Sequence, residues 1–306
     1  MEYMSNVETP YAYDFWCALW AIGVECGRTV YVDRPSAPVF LNWYLILAAE
    51  SGTTRKSTAV RAASALISGD REVLSGKTSP ESLELILHEC TRQRGTATAH
   101  FAVPELVTIL GREGYMSTMP GLLTDLYDSP ELRRSPGTLK SGEIIQRDVY
   151  ITFLSASTPS WLVTAINPSV IEGGFTSRVM FIVEDTRKRS IPWPCNSRRT
   201  GQSTVQMVLQ ETCTRARGVG GLTISQGGLR KFTKWYNNRP VSNDPFQSSF
   251  EAREDDHVLK LAACLAINDG TLELQTTHIT TGIKVIADAK YKASQLFGGS
   301  FSTGAR

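Results

Sequence analysis

The stretch Ala49-Glu50-Ser51-Gly52-Thr53-Thr54-Arg55-Lys56-Ser57-Thr58 joins an apolar run, LNWYLILA, to a helix-like run, AVRAASALI. An apolar strand, a loop of small polar residues carrying Lys-Ser, and then a helix make the layout of a phosphate-binding P-loop. Small residues are needed there because backbone N–H groups must close around phosphate oxygens, while the helix N-terminus adds its positive end. In that arrangement Lys56 supplies a point charge to the β and γ phosphates of ATP, and Ser57 a hydroxyl for Mg²⁺. Ser51, Gly52, Thr53, Thr54, Arg55, Lys56, Ser57 and Thr58 then form the nucleotide cradle. Nucleotide hydrolysis is the leading reading of this segment.

The loop departs from the usual G-x-x-x-x-G-K-[ST] pattern. The glycine positions, one and six residues before the lysine, hold Arg55 and Glu50, and only Gly52 is present. Arg55 reads either as a second cation facing phosphate or as a side chain projecting into solvent from a loop of different path.

Three further groups follow in an order that extends this chemistry. The β-prone stretch 96–103 ends in Pro104-Glu105 ahead of LVTIL, which puts Glu105 where an ATPase holds Mg²⁺ and polarises the attacking water. Pro104 replaces the usual preceding aspartate, leaving more of the metal coordination to Ser57 and water. The plainer alternative is a carboxylate that starts a helix and suits its dipole. A third strand, Asp148 to Leu154, ends in Ser155-Ala156-Ser157-Thr158-Pro159. Ser157 or Thr158 at that tip can sense a γ-phosphate or orient water, and Thr158 also suits the cap of the helix PSWLVTAI. Finally, Glu172-Gly173-Gly174-Phe175-Thr176-Ser177-Arg178 runs into the strand VMFIV. Two glycines and an arginine at a strand root suit an arginine finger presented across a subunit boundary, although a lone arginine is usually a surface ion pair.

Positioning these groups takes alternating strands and helices. Tyr11 to Gly27 carries Phe15, Leu19, Ile22 and Val24 at helical spacing, and Thr29 to Val32 reads as a short strand. Ser79-Pro80-Glu81 opens the helix ESLELILHEC, with Ser79 as its cap. The C-terminal third predicts helices over 204–215, 227–237, 250–268 and 277–296, with a polar loop at 240–245. Val258, Leu261, Ala262 and Leu265 share one apolar face.

At 306 residues the chain is long enough for one large or two modest domains. A net charge of +2 neither supports nor excludes DNA, because a ring can confine its cations to a channel. Cys17, Cys26, Cys90, Cys195, Cys213 and Cys264 include no C-x-x-C pair, and His88, His100, His257 and His278 are scattered. That pattern predicts buried thiols in a reducing cytoplasm, with neither a zinc site nor a disulfide framework, and makes His257 an interface or capping residue. FLNWYLILAA is too short for a membrane span and no signal peptide opens the chain, so no membrane association is expected.

Cations that could meet nucleic acid fall in two places. Arg133, Arg134, Lys140 and Arg147 lie in a turn-rich stretch from Asp128 to Arg147, where a hairpin would carry them to phosphates without reading bases. Arg187-Lys188-Arg189, with Arg198-Arg199, reads either as a second contact or as a solvated loop.

Taken in order, FWCALWAIGVECGRTVYV, LNWYLILAAESGTTRKSTA, SPESLELIL, the strand ending in PEL, LLTDLYDSPE, FLSASTP, GGFTSRVMF with IPWP, and DHVLKLAACLAI cover nearly everything from Phe15 to about Phe297. The chain thereby resembles the P-loop ATPase domain of primase-helicase-like proteins of phages, plasmids and integrated elements, often described only as a domain of unknown function. The resemblance implies an α/β fold of the P-loop NTPase type (ASCE, AAA+ or RecA-like). That fold is a three-layer sandwich with a mainly parallel central sheet. Residues 1–40 would be a helical segment and connecting strand, 41–200 the ATPase core, and 201–306 a helical, lid-like subdomain. It implies Lys56 and Ser57 in the P-loop roles, Glu105 as catalytic acid and metal partner, Ser157 or Thr158 as sensor, Arg178 as finger, and Arg253 as a second sensor reaching nucleotide from the lid. The implied reaction is ATP hydrolysis with Mg²⁺, driving a homo-oligomeric ring, a hexamer, along single-stranded DNA in the host cytoplasm during replication of the element. A separate primase or other replication partners would complete such a system. Arg55 and Pro104 motivate a different class, a degenerate P-loop scaffold or loader that binds nucleotide or DNA without hydrolysis. A packaging or partition ATPase would share the core chemistry.

Overall fold

The apolar runs YLILA, AHFAV, YITFL and VMFIV suit strands covered on both faces, as parallel sheets require. In a computed structural model, which describes residues 2–4, 7–111, 118–136, 142–166, 168–193 and 198–297, they form four strands of one five-stranded sheet. From the N-terminus, α1 (Tyr11–Cys26), β1 (Tyr31–Val32) and β2 (Val39–Phe40) lead to β3 (Tyr44–Ala48) and the loop before α2 (Lys56–Ser64). Next come β4 (Val73–Leu74), α3 (Pro80–Arg94), β5 (Thr98–Val103), α4 (Val107–Leu110) and α5 (Met119–Tyr127). A hairpin of β6 (Leu132–Ser135) and β7 (Ile144–Arg147) precedes β8 (Tyr150–Ser157), α6 (Pro159–Ala165), α7 (Pro168–Glu172), α8 (Phe175–Arg178) and β9 (Val179–Val183). The last third holds α9 (Arg198–Val219), β10 (Gly221–Ile224), α10 (Gln226–Asn237), α11 (Pro245–Glu251), α12 (Glu254–Asn268), β11 (Glu273–Leu274) and α13 (Thr276–Phe297).

The main sheet runs β4-β5-β8-β3-β9, and every neighbouring pair is parallel. Successive side chains alternate between its faces. Leu45, Leu47, Leu154, Met180 and Ile182 join α1, α2 and α12 in one buried cluster. Tyr44, Ile46, Phe153 and Phe181 join Leu83, Leu87, Leu123, Leu126 and Phe297 in another. Helices on both faces make this an α/β sandwich of three layers, as expected for the core. Full burial of each large apolar side chain contributes about 1.5–3 kcal/mol, so the two clusters fix where the strand ends lie. Because β8 sits between β3 and β5, the ends Ala48, Ser157 and Val103 finish side by side.

A second sheet, β11-β10-β1-β2, joins the two ends of the chain: Tyr31 pairs with Gly221 in parallel and with Phe40 antiparallel. Residues 1–40 and 201–306 thus contribute strands to one sheet. The helix expected over 250–268 is two helices, interrupted at Arg253, whose φ of −126° leaves the helical range. The helix expected over 204–215 is longer at both ends. Ser79 caps α3 as expected, accepting from the Ser82 N–H at 3.2 Å. Among the described residues no helix is long and apolar enough to cross a membrane.

Candidate active site

Lys56 is the first residue of α2, and Arg55 before it has φ 55° and ψ 38°, in the left-handed region. The position where the P-loop pattern has glycine thus keeps a glycine-like backbone while holding arginine, at a cost of about 1–2 kcal/mol for an L side chain. Gly52, at φ 76°, supplies the other left-handed turn of the loop. The Arg55 guanidinium donates to Glu8 at 2.8 Å. Glu8 also accepts from the Ile191 N–H at 3.0 Å and Arg187 at 3.0 Å, and these bonds, the Ile191 amide first, hold its carboxyl down to about 2. The Arg55 side chain is thus ion-paired while 53% of it stays exposed.

Lys56 Nζ donates to the carbonyls of Ala49 at 2.6 Å and Glu50 at 3.0 Å, spanning the loop, and partial burial lowers its pKa. A cleft of about 470 Å³ opens beside it. Its lining brings together Ser51, Gly52, Arg55, Lys56, Ser57 and Thr58 with Pro104, Glu105, Ser157, Thr158 and Trp161. This is the crevice beyond the carboxyl ends of the strands, where open α/β sheets bind ligands. Glu105 is exposed in it, and the bond from the Leu106 N–H to the Ala156 carbonyl at 2.9 Å fixes its backbone against β8. Thr158, which lines the cleft, also caps α6 as expected, accepting from the Trp161 N–H at 3.4 Å. Thr53 and Thr54 shape the loop rather than line the cleft: Thr53 bonds the Glu50 carbonyl at 2.9 Å, and Thr54 is buried against Tyr13. Sequence reasoning missed Trp161, because only the adjacency of β8 and β3 turns the start of α6 toward the loop.

Arg178 and Arg253 are not among the cleft-lining residues; they converge elsewhere. Val179 pairs with Tyr44 at the start of β3, whereas the loop follows its last residue, Ala48. Arg178 therefore lies at the opposite edge of the sheet, about 13 Å away along the strand. It donates to Asp128 at 2.8 Å and to the Gly174 carbonyl at 2.9 Å. Gly174, at φ 74°, has a left-handed backbone that strains any L side chain, and a Cβ there would lie 2.9 Å from Arg178 Nη1. Arg253 meets Asp128 at 2.9 Å and Asp256 at 3.4 Å, so the lid arginine expected at the nucleotide is tied to a carboxylate outside the cleft. Below this cluster, Lys260 is fully buried and donates to Asn42 Oδ1 and the Tyr127 hydroxyl, each at 2.7 Å, and burial pushes its pKa down to about 7. His257, fully buried, packs between Trp43 and Phe250 and bonds the Ser177 carbonyl at 2.9 Å.

The hairpin expected between Asp128 and Arg147 forms, as β6 and β7. Two of its cations are ion-paired: Arg133 with Glu84 at 2.6 Å and Arg134 with Glu143 at 3.2 Å. Arg147 is exposed, and Lys140 lies outside the described residues. In the second basic run, Arg187 pairs with Glu8 and the buried Lys188 with Asp14, so these residues pin the N-terminal segment. No protein-family model matches the chain, and no curated protein matches it.

Proposed function

We propose that this chain is a P-loop ATPase that acts on DNA as one subunit of a homo-oligomer, in the helicase or translocase class. The observation that carries the reading is the single cleft at three adjacent strand ends, where Lys56, Ser57, Glu105, Ser157 and Thr158 meet. The position of β8, inserted between the loop strand and the acidic strand, supports the additional-strand (ASCE) type of P-loop fold.

Each residue has a part in an in-line displacement of the γ-phosphate. The Lys56 ammonium, released from its loop carbonyls, balances charge on the β and γ phosphates. Glu105 orients a water and takes its proton, and Ser157 or Thr158 registers the γ-phosphate from the neighbouring strand. The Ser57 hydroxyl and the Glu105 carboxylate are hard oxygen donors on the same cleft, a set that fits Mg²⁺. When bound, the ion would neutralise phosphate charge. Arg178 is a strand length from the loop of its own chain, so it serves a nucleotide only across a boundary to another copy. That position favours a ring, with a hexamer as the proposed form, single-stranded DNA as its track, and a primase or other replication proteins as separate partners.

The test is phosphate release from ATP by the purified chain, with and without single-stranded DNA, beside Lys56→Ala. Turnover stimulated by DNA and lost in the variant is the expected result. Nucleotide-dependent thermal stabilisation without phosphate release would instead favour a scaffold or loader that binds without turnover.

A further inference from the structure

We infer that the outer face of α10 is a docking surface for the phosphate backbone of nucleic acid. The helix reads QGGLRKFTKWYN, with Arg230, Lys231 and Lys234 and no acidic residue. All three cations are exposed, and none has an ion pair or side-chain hydrogen bond with a described residue. This sets them apart from Arg133, Arg134, Arg187 and Lys188, which are engaged by Glu84, Glu143, Glu8 and Asp14. Arg230 and Lys234 stand one turn apart, about 6 Å along the axis, with Lys231 between them, so one phosphate strand can meet all three. Exposed Thr233, Asn237 and Asn238 add neutral hydrogen-bonding groups beside them.

The opposite face of α10 is taken. Phe232 and Trp235 pack against the main core, 5.6 Å apart between ring centroids. Gly227 and Gly228 bring the helix so close to its neighbours that a Cβ on either would lie 2.6 Å from Thr276 Oγ1 or the Leu274 carbonyl. Phe232 and Trp235 are thereby taken up by the core, while Leu229 and Tyr236 stay about half exposed. What the helix offers is a rigid row of uncompensated positive charge, complementary to a polyanion and gaining by counterion release. The location rests on these free cations, while the choice of nucleic acid as the polyanion rests on the translocase reading.

The experiment is binding of a labelled poly-dT oligonucleotide to the full chain over a range of salt concentrations, by fluorescence polarisation. The triple variant Arg230→Ala, Lys231→Ala, Lys234→Ala is compared with Arg92→Ala, Arg94→Ala, Arg215→Ala, which removes equal charge from ion-paired sites. The α10 variant should lose about tenfold in affinity or more, and its salt slope should fall by about 2, while the control stays close to wild type. Equal losses in both variants, or none in the α10 variant, would overturn the proposal. So would poly-glutamate competing as well as the oligonucleotide, which would mark an acidic protein as the partner. Wild-type chain that binds no oligonucleotide yet releases phosphate from ATP would remove the docking surface and leave the ATPase standing.

Discussion

Asp128 holds Arg178 at 2.8 Å, joining the end of α5 to the residue just before β9, and the same carboxylate takes Arg253 at 2.9 Å. The arginine proposed as a finger is thus only 13% exposed and parked on a carboxylate that is 45% exposed. A neighbouring nucleotide must compete with Asp128 for it. Subunits carrying Arg178→Ala keep an intact loop but lack the finger, and those carrying Lys56→Ala are the reverse. Neither should turn over alone, and mixing them should restore a substantial fraction of phosphate release, because some boundaries then pair an intact loop with an intact arginine. An inactive mixture of properly assembled subunits would remove Arg178 from the reaction.

The left-handed backbone at Arg55 separates two roles of that residue. Arg55→Gly fits the φ of 55° without strain but gives up the bond to Glu8, so stability should move by no more than about 1 kcal/mol and nucleotide binding should persist. Arg55→Val loses the same bond and adds a β-branched side chain at positive φ, so it should be less stable than the glycine variant by about 1–2 kcal/mol. Urea denaturation of the two variants measures that difference, which vanishes if the loop can take another path.

Lys260 gives a signature in alkaline solution. Its pKa is pushed from 10.5 down to about 7 by burial, so between those values the unfolded chain holds a proton that the folded chain has released. Stability contributed through this group therefore rises with pH across that window and is flat below it. Lys260→Met should melt with a shallower pH dependence from pH 7 to 10 than the wild type. Parallel curves would mean that Lys260 stays charged in its bonds to Asn42 and Tyr127.

Much of the site was legible because its signals are local. Apolar runs named the strands, Lys56-Ser57 named the loop, and Ser79-Pro80 named a helix start, each from a few adjacent residues. Partners distant in sequence were not legible. Asp128 carries no local mark of its two arginines, and Glu84 gives none of its hold on Arg133 in the hairpin. The helix at 227–237 was readable from its periodicity, but its importance was not. Its cations stand out only once carboxylates elsewhere are seen to engage the other basic runs. The break at Arg253 was hidden for the same reason, since the stretch from Glu251 to His257 holds no Gly or Pro to mark a helix stop and tertiary contacts decide where the helix restarts.

The pairing of Tyr31 with Gly221 bears on how the chain is made. During synthesis, β1 and β2 can pair with each other early, but β1 has no parallel partner until β10 leaves the ribosome, after the strands of the main sheet. Closing so large a loop is entropically slow, and contacts of this sequence separation put a fold toward the slow end of the range. The open edge of the β1–β2 pair must therefore wait uncovered until then. A ribosome-bound chain stopped before residue 221 should be a client for chaperones that grip apolar segments.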